Sequence, residues 1–375
     1  MVKICHISSA HPRYDTRILY RECASLKENG YDVTFVVNDN LPEEYVDGVH
    51  ILTTGLSNRL KRLRRMTKGV SSVYKIALEA DADLYHLHDP ELLLIALKLK
   101  KHGKKVIFDS HENYYEQIKT KEYLPKLVRI MIASIYLKYE TYVCRKIDGV
   151  IMPATVGGRS TFENRCKSFT LVNNLPRLSE FKNDKLEIKA YKDRADICYS
   201  GGLTYARGIF HLAKASAIAG QKLVLAGRFS PESFGEDILN GKYSENIIYR
   251  GFMSREDTYK MYSECAIGMS TLLDVGQYAK GDNLPTKVYE YMAMEMPVIL
   301  SNFPYYTKAV EEYGFGLTTD PANPEDIAEK IRYLMEHKNE AEAMGKRGRE
   351  AVEKVFNWSV AEKNLLDLYR EILEA

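Results

Sequence analysis

The stretch GDNLPTKVYEYMAMEMPVILS, residues 281–301, runs from a polar, proline-broken loop into a short helix pattern and on into an apolar strand. Pro285 suits the first helical turn, where its missing N–H costs nothing. Val298 to Ser301 read as a buried strand. Loop, helix and strand together make one α/β unit, and the same alternation recurs along the chain. Two carboxylates stand eight residues apart in this stretch, Asp282 in the loop and Glu290 on the helix. The N-terminus of such a helix favours an anion. An ionised Glu290 can accept hydrogen bonds from a pair of sugar hydroxyls. The simpler reading of Glu290 is an exposed helix acid, and its apolar neighbours Tyr289, Tyr291 and Met292 argue against it.

Working outward, KICHISS (residues 3–9) reads as a strand and TRILYRECASLKEN (16–29) as an amphipathic helix ending near Gly30. YDVTFVVN, DLYHLH, KKVIFDS, DGVIMP and FTLVNN are further strands, separated by helical stretches that include residues 123–146. Residues 175–196 are polar and without periodicity, which makes them a linker. A second series follows: DICYS, a helix from Arg207, KLVLAG, NIIYRG, a helix through EDTYKMYSE, CAIGMS, and the opening stretch. GFGLTT and helices from Pro324 complete it. The pattern is doubly wound, mainly parallel α/β. Two Rossmann-like domains facing a cleft are expected, residues 1–175 and 176–356, with ligands beyond the carboxyl ends of the strands.

The 375-residue length also favours two domains. Residues 1–185 hold 30 Lys and Arg against 22 Asp and Glu, and the remainder holds 23 against 29. The halves therefore meet different partners. RLKRLRRMTK (59–68) carries six basic residues around Leu60, Leu63 and Met66. It is either a solvated basic face or a contact with an anionic membrane surface. The six cysteines have no metal-ligand or C-x-x-C spacing, as expected of reduced thiols in the cytoplasm. No signal peptide is expected at MVKICHISS. LVRIMIASIYL (127–137) is too short to span a bilayer.

Four strand-end segments offer ligand-binding chemistry. SSAHPRYDTRI (8–18) presents His11, Arg13, Asp15 and Arg17. Asp15 is alternatively a helix cap, with Arg13 in solvent. This loop lacks the G-x-G-x-x-G of a dinucleotide site, which weighs against a dehydrogenase. HLHDPE (86–91) brings His88 and Asp89 to a strand end, or they simply cap the next helix, and DSHENYYEQ (109–117) brings His111 and Glu112 to another, where the alternative for His111 is local hydrogen bonding. YSGGLTYARG (199–208) sets Gly201 and Gly202 before Arg207, a fork of donors suited to phosphate.

These segments, in this order, resemble family 4 glycosyltransferases of the group 1 type and GT-B fold. The likeness runs through HPRYDTR, HLHDPE, FDSHE, YSGG-x4-RG, LPTKVYEYMA-x3-PVI and the closing FNWSVAEKNLLDLY (356–369). It implies a retaining transferase that moves a sugar from a nucleoside-diphosphate sugar, UDP-linked by family weighting, and needs no bound metal. By the same resemblance, the terminal helix (357–375) crosses back to the N-terminal acceptor domain, and residues 176–356 bind the donor. Glu290 takes the position that grips ribose, and Asp282 stands where the family has a glutamate beside the transferred sugar. The family's G-R-L-x3-K-G reads G-G-L-T-Y-A-R-G here, so Arg207 replaces the lysine and Gly202 the arginine, and Lys287 is expected to share the charge. Arg207, Asp282 and His111 are then the catalytic set. Gly201, Gly202, Asn283, Leu284, Lys287 and Glu290 complete the donor site. His11, Arg13, Asp15, Arg17 and Glu112 lie on the acceptor side. A Gly common before Pro-Val is Glu295 here, which removes an easy left-handed cap.

The basic N-terminal half suits a glycan or lipid-linked acceptor in capsule, exopolysaccharide or lipopolysaccharide assembly, with peripheral membrane contact through residues 59–68. Nucleic acid is not expected as a partner. A nucleotide-sugar epimerase of the same fold and a non-catalytic partner subunit stay open, the latter because of Gly202 and Asp282.

Overall fold

The computed structural model describes residues 1–57, 62–121, 124–181, 188–275 and 278–375, apart from the side chain of Arg62. It divides into two compact units, Met1–Asn174 with Trp358–Ala375, and Leu175–Asn357.

The first unit is built on eight strands: β1 Lys3–Ser8, β2 Asp32–Val37, β3 Glu44–Val46, β4 Val49–Thr53, β5 Leu84–Leu87, β6 Lys105–Asp109, β7 Gly149–Met152 and β8 Phe169–Leu171. Their order is β3-β4-β2-β1-β5-β6-β7-β8. All described pairings are parallel except β3 with β4. The β3–β4 hairpin is absent from the sequence reading. Its signal was available: Asp47 and Gly48, both at positive φ, form a two-residue turn between alternating strands. Strands β1, β5 and β6 are buried on both faces, as a parallel sheet covered by helices requires. The terminal helix Trp358–Glu374 packs on this sheet. Trp358 Nε1 donates to Ser25 Oγ at 2.7 Å, and Asn364 Nδ2 donates to the Leu171 carbonyl at 2.9 Å. Gly149 permits the close approach, because a Cβ there would lie 2.7 Å from Ile372.

The second unit carries six parallel strands: β9 Ala195–Ser200, β10 Leu223–Ala226, β11 Ile247–Gly251, β12 Cys265–Ser270, β13 Val298–Ser301 and β14 Gly316–Thr319. The order is β11-β10-β9-β12-β13-β14. In each unit the order reverses beside the first strand, between β1 and β5 and between β9 and β12. Those switch points open a crevice at the carboxyl ends of the strands, where α/β sheets bind ligands.

The opening stretch folds as its pattern predicts. Pro285 is the N-cap and Thr286–Ala293 the helix. Tyr291 packs under Gly268 of β12, where an added Cβ would meet the ring at 2.4 Å. Glu295 adopts φ 54°, the left-handed turn that glycine favours. Its carbonyl is held by Arg194 Nη1 at 3.2 Å. Glu295→Gly is expected to gain about 1 kcal/mol by removing this strain. Urea unfolding checks it, and a loss of stability would show that the turn is unstrained.

Candidate active site

In the second unit, β9 ends at Ser200 and the chain turns through the exposed Gly201 and Gly202. Thr204 caps the single turn Tyr205–Arg207 by accepting from the Arg207 amide. Gly208 follows at φ +74, and a Cβ there would lie 1.9 Å from the Thr271 carbonyl. The glycine therefore lets the Arg207 turn sit against the end of β12. Arg207 lies beside the phenols of Tyr199 and Tyr278, and its guanidinium is held charged despite burial.

Lys287, in the first turn of the helix Thr286–Ala293, points at the same place. A Cβ on Gly201 would meet Lys287 Nζ at 3.3 Å and Arg207 Nη1 at 3.4 Å. The ammonium lies 3.5 Å from the centroid of the Tyr199 ring. It is fully buried and has no hydrogen-bond partner among the described residues. Burial first, and Arg207 second, push its pKa well below the ordinary lysine value, with Glu290 opposing. Two cations converge on an exposed glycine backbone, and one of them lacks a counter-charge. That arrangement binds an anion.

One turn on, Glu290 is partly exposed. Its Oε2 accepts from the Tyr262 hydroxyl at 3.2 Å, and Arg255 Nη2 is 3.9 Å from Oε1. Tyr262 also bonds Ser200 Oγ, which ties the carboxylate to the end of β9. Asp282 is half-buried in the preceding loop, and its charge adds to the burial that raises the Tyr305 pKa. Asn283 folds its Oδ1 back over Gly281. Leu284 is buried, and its amide donates to the Tyr289 hydroxyl at 3.2 Å. That amide is engaged within the fold.

In the first unit the strand ends gather histidines. His11 is partly exposed, with Nδ1 3.0 Å from Asp89 Oδ1. Burial lowers its pKa, but Asp89 more than offsets this and leaves it raised. Asp89 stands at the N-cap position of the turn Pro90–Leu92, but its side chain makes no capping bond there. Its Oδ2 accepts from the Ser9 amide at 2.6 Å and from Ser8 Oγ at 2.8 Å, which folds the β1 loop over β5. His111 follows β6, and its ring packs tilted at 34° against His11 with centroids 4.6 Å apart. Burial draws His111 down to about 4 against the pull of Asp109, so it is a neutral base at ordinary pH. Glu112 is exposed and bonds Gln117.

Three of the residues assigned to the acceptor side serve the fold instead. Arg13 is buried, not solvated: Nε and Nη2 clasp Asp39 at 2.8 and 2.7 Å, and Nη1 reaches Glu44 at 2.7 Å. Arg17 is also buried, with Nη2 2.8 Å from Asp109, Nε 2.9 Å from Glu22 and Nη1 donating to the Val172 carbonyl. Asp15 Oδ1 accepts from the Arg17 and Ile18 amides, a cap on the following helix. Their spacing matched a polar loop, but long side chains let both arginines turn inward to buried carboxylates that are distant in sequence.

Sequence reasoning missed the interior of this cluster. His111 Nε2 contacts His88 Nδ1 at 3.0 Å, and His88 Nε2 contacts His6 Nδ1 at 2.8 Å. Tyr369 then links His6 to His86. With one proton on each ring, every contact has a donor and an acceptor in either direction, so the chain can relay a proton from His111 inward. The donor atoms of His6, Glu22, His86 and His88 lie within 4.8 Å of one another, as do those of His88, Asp109 and His111. Imidazole and carboxylate donors of this kind suit a zinc-like ion. The only sequence signal was polar residues at alternate positions of buried strands.

Residues 180–351 match the family described as glycosyl transferases group 1, and residues 16–156 match glycosyltransferase family 4. Together the two matches indicate a glycosyltransferase of the group 1 type. Among solved structures, sucrose-phosphate synthase from Thermosynechococcus elongatus superposes with a TM-score of 0.78 at 19% identity, covering 100% of both chains. Anabaena HepE in complex with UDP and glucose gives 0.70 at 12% identity, covering 99% of this chain and 100% of that one. At these identities the likeness shows the fold, which is GT-B. The spore coat protein SA of Bacillus subtilis (strain 168) is 34% identical over 84 residues, a match spanning 22% of each chain. The group 1 match covers the strand ends around Arg207 and Glu290, and the family 4 match covers those around Asp89 and His111, while His11 lies outside both.

Proposed function

We propose that the chain transfers a sugar, with retention of configuration, from a nucleoside-diphosphate sugar to a glycan or lipid-linked acceptor in cell-surface polysaccharide assembly. The observation that carries this reading is the buried Lys287 ammonium, unpartnered among the described residues and converging with Arg207 on Gly201. A diphosphate supplies the missing counter-charge. Glu290 then accepts from the ribose hydroxyls, and Asp282 stands by the transferred sugar with Asn283. UDP is the preferred nucleotide, because the HepE complex named above contains it.

In the reaction, the bond from the anomeric carbon to the β-phosphate oxygen breaks. The acceptor hydroxyl attacks from the same face, and its proton passes to the departing phosphate oxygen. Arg207 and Lys287 stabilise the charge that grows on the diphosphate, a preorganised role that requires no metal. His11 and His111 hold acceptor hydroxyls at the strand ends of the first unit. No described helix is long and apolar enough to cross a membrane. A lipid-linked acceptor and a nucleotide-sugar donor would meet at the cytoplasmic face of the membrane, with the protein peripheral to it.

Arg207→Ala is expected to cut turnover at saturating donor by roughly a hundredfold. Glu290→Ala is expected to weaken nucleoside diphosphate binding at least about tenfold in calorimetry. Wild-type turnover in the first variant, or unchanged affinity in the second, would remove the residue from its role. A panel of nucleotide sugars scored for acceptor-dependent diphosphate release tests the reaction. Isomerised donor without an acceptor would make the protein an epimerase.

A further inference from the structure

The helix Lys126–Cys144 in the first unit leaves a large apolar face uncovered. Leu127 is 82% exposed, Met131 55% and Ile135 60%, at i, i+4 and i+8 on one face. Val128, Ile130 and Ile132 widen the stripe. Lys126 and Lys138 are exposed on the helix and Arg129 is half-buried. Its one acid, Glu140, is buried and held by Arg165 and by Tyr136 at 2.8 Å. A second element stands close by. In Arg62–Gly69, Leu63 is 80% exposed, beside exposed Arg64 and Lys68. Residues 59–61 of the basic segment lie outside the described residues. A cavity of about 410 Å³ opens between the two elements, walled by Met66, Leu94, Ile118, Tyr114, Tyr136 and Tyr139. Glu91 at its edge bonds Arg65 at 2.5 Å and Ser9 at 3.0 Å, next to the Asp89 strand-end site.

We propose that Arg62–Gly69 and Lys126–Cys144 together form a docking face for an anionic lipid bilayer, and that the cavity between them takes an acyl or prenyl chain. Apolar exposure on this scale is uncommon on soluble chains and marks a binding face. An apolar stripe ringed by cations is the pattern of an interfacial helix. A second copy of the chain fits less well, because a twofold contact would set like charges against each other. The cavity half rests on the lipid-linked acceptor of the proposed function, whereas the docking half does not.

Flotation on phosphatidylcholine vesicles with about one-third phosphatidylglycerol tests the docking. The full chain should float at low salt and be released by high salt. The triple variant Leu127→Gln, Met131→Gln, Ile135→Gln should lose at least about tenfold in bound fraction. UDP affinity, measured alongside, should be unchanged, so a failed donor site is told apart from a failed docking face. Equal flotation of both proteins, or none, overturns the proposal. So does a lipid-free dimer that the triple variant dissociates. Trp358, the single tryptophan, is buried. Leu127→Trp and Tyr139→Trp can therefore report quenching by lipids brominated on the acyl chain. Quenching of both supports the face and the cavity; quenching of Leu127→Trp alone overturns the cavity.

Discussion

Lys287→Met is expected to abolish diphosphate binding while raising the melting temperature of the free protein by a few degrees. The two effects have one cause. The ammonium is buried without a hydrogen-bond partner among the described residues, and an uncompensated buried charge is costly. Methionine fills similar space, keeps the contact with the Tyr199 ring and carries no charge. What it cannot do is meet a phosphate, so affinity should fall by about a hundredfold or more. The pH dependence has a definite sign. The folded lysine is shifted below its unfolded value of about 10.4. The protonated form therefore destabilises the fold at low and neutral pH, and the penalty fades as pH rises through the folded value toward the unfolded one. The advantage of the variant should shrink over that window. Thermal unfolding at several pH values, with calorimetry of UDP, measures both. A variant that melts lower and still binds UDP would contradict the assignment.

Arg17→Met is expected to cost about 3–5 kcal/mol, read by urea unfolding. Arg17 is the cation at the centre of a buried group holding Glu22, Asp109 and neutral histidines. Burial alone would raise the Asp109 pKa, but Arg17, His111 and His86 together hold it below the usual carboxylate range. Glu22 goes the other way: burial raises its pKa and Asp109 adds to the rise, with Arg17 opposing. Asp109 therefore contributes stability above the unfolded value of about 4, and that contribution is lost as pH falls toward the folded value. Without Arg17 this acid dependence should flatten. Adding Asp109→Asn should recover part of the loss, since it removes the carboxylate left unpaired. A single variant as stable as wild type would mean that water, not Arg17, neutralises the group.

The fold was legible where burial dictates pattern. Apolar runs at β1, β5, β6, β9, β12 and β13, punctuated by amphipathic helices, leave little but a doubly wound sheet. The β3–β4 hairpin escaped because its strands are short and lie at the sheet edge, where burial imposes less. Of the residues expected to hold the donor, Gly201, Arg207 and Lys287 could be named because each sits at a strand end or a first helical turn, with Glu290 one turn on. What the sequence concealed was direction. Nothing in HPRYDTR tells that Arg13 and Arg17 turn inward, since their partners Asp39, Glu44, Glu22 and Asp109 are scattered along the chain. The burial of Lys287 was equally hidden, because it depends on Tyr199 from a separate strand.

The most direct test is a calorimetric titration of the wild-type protein with UDP above pH 7, run in buffers of different ionisation enthalpy. If the diphosphate docks between Lys287 and Arg207, its charge should raise the depressed pKa of the lysine. Binding should then draw in protons, tighten as pH falls, and lose this linkage in Lys287→Met. Binding without proton uptake, or no binding by UDP or any other nucleoside diphosphate, would contradict the account.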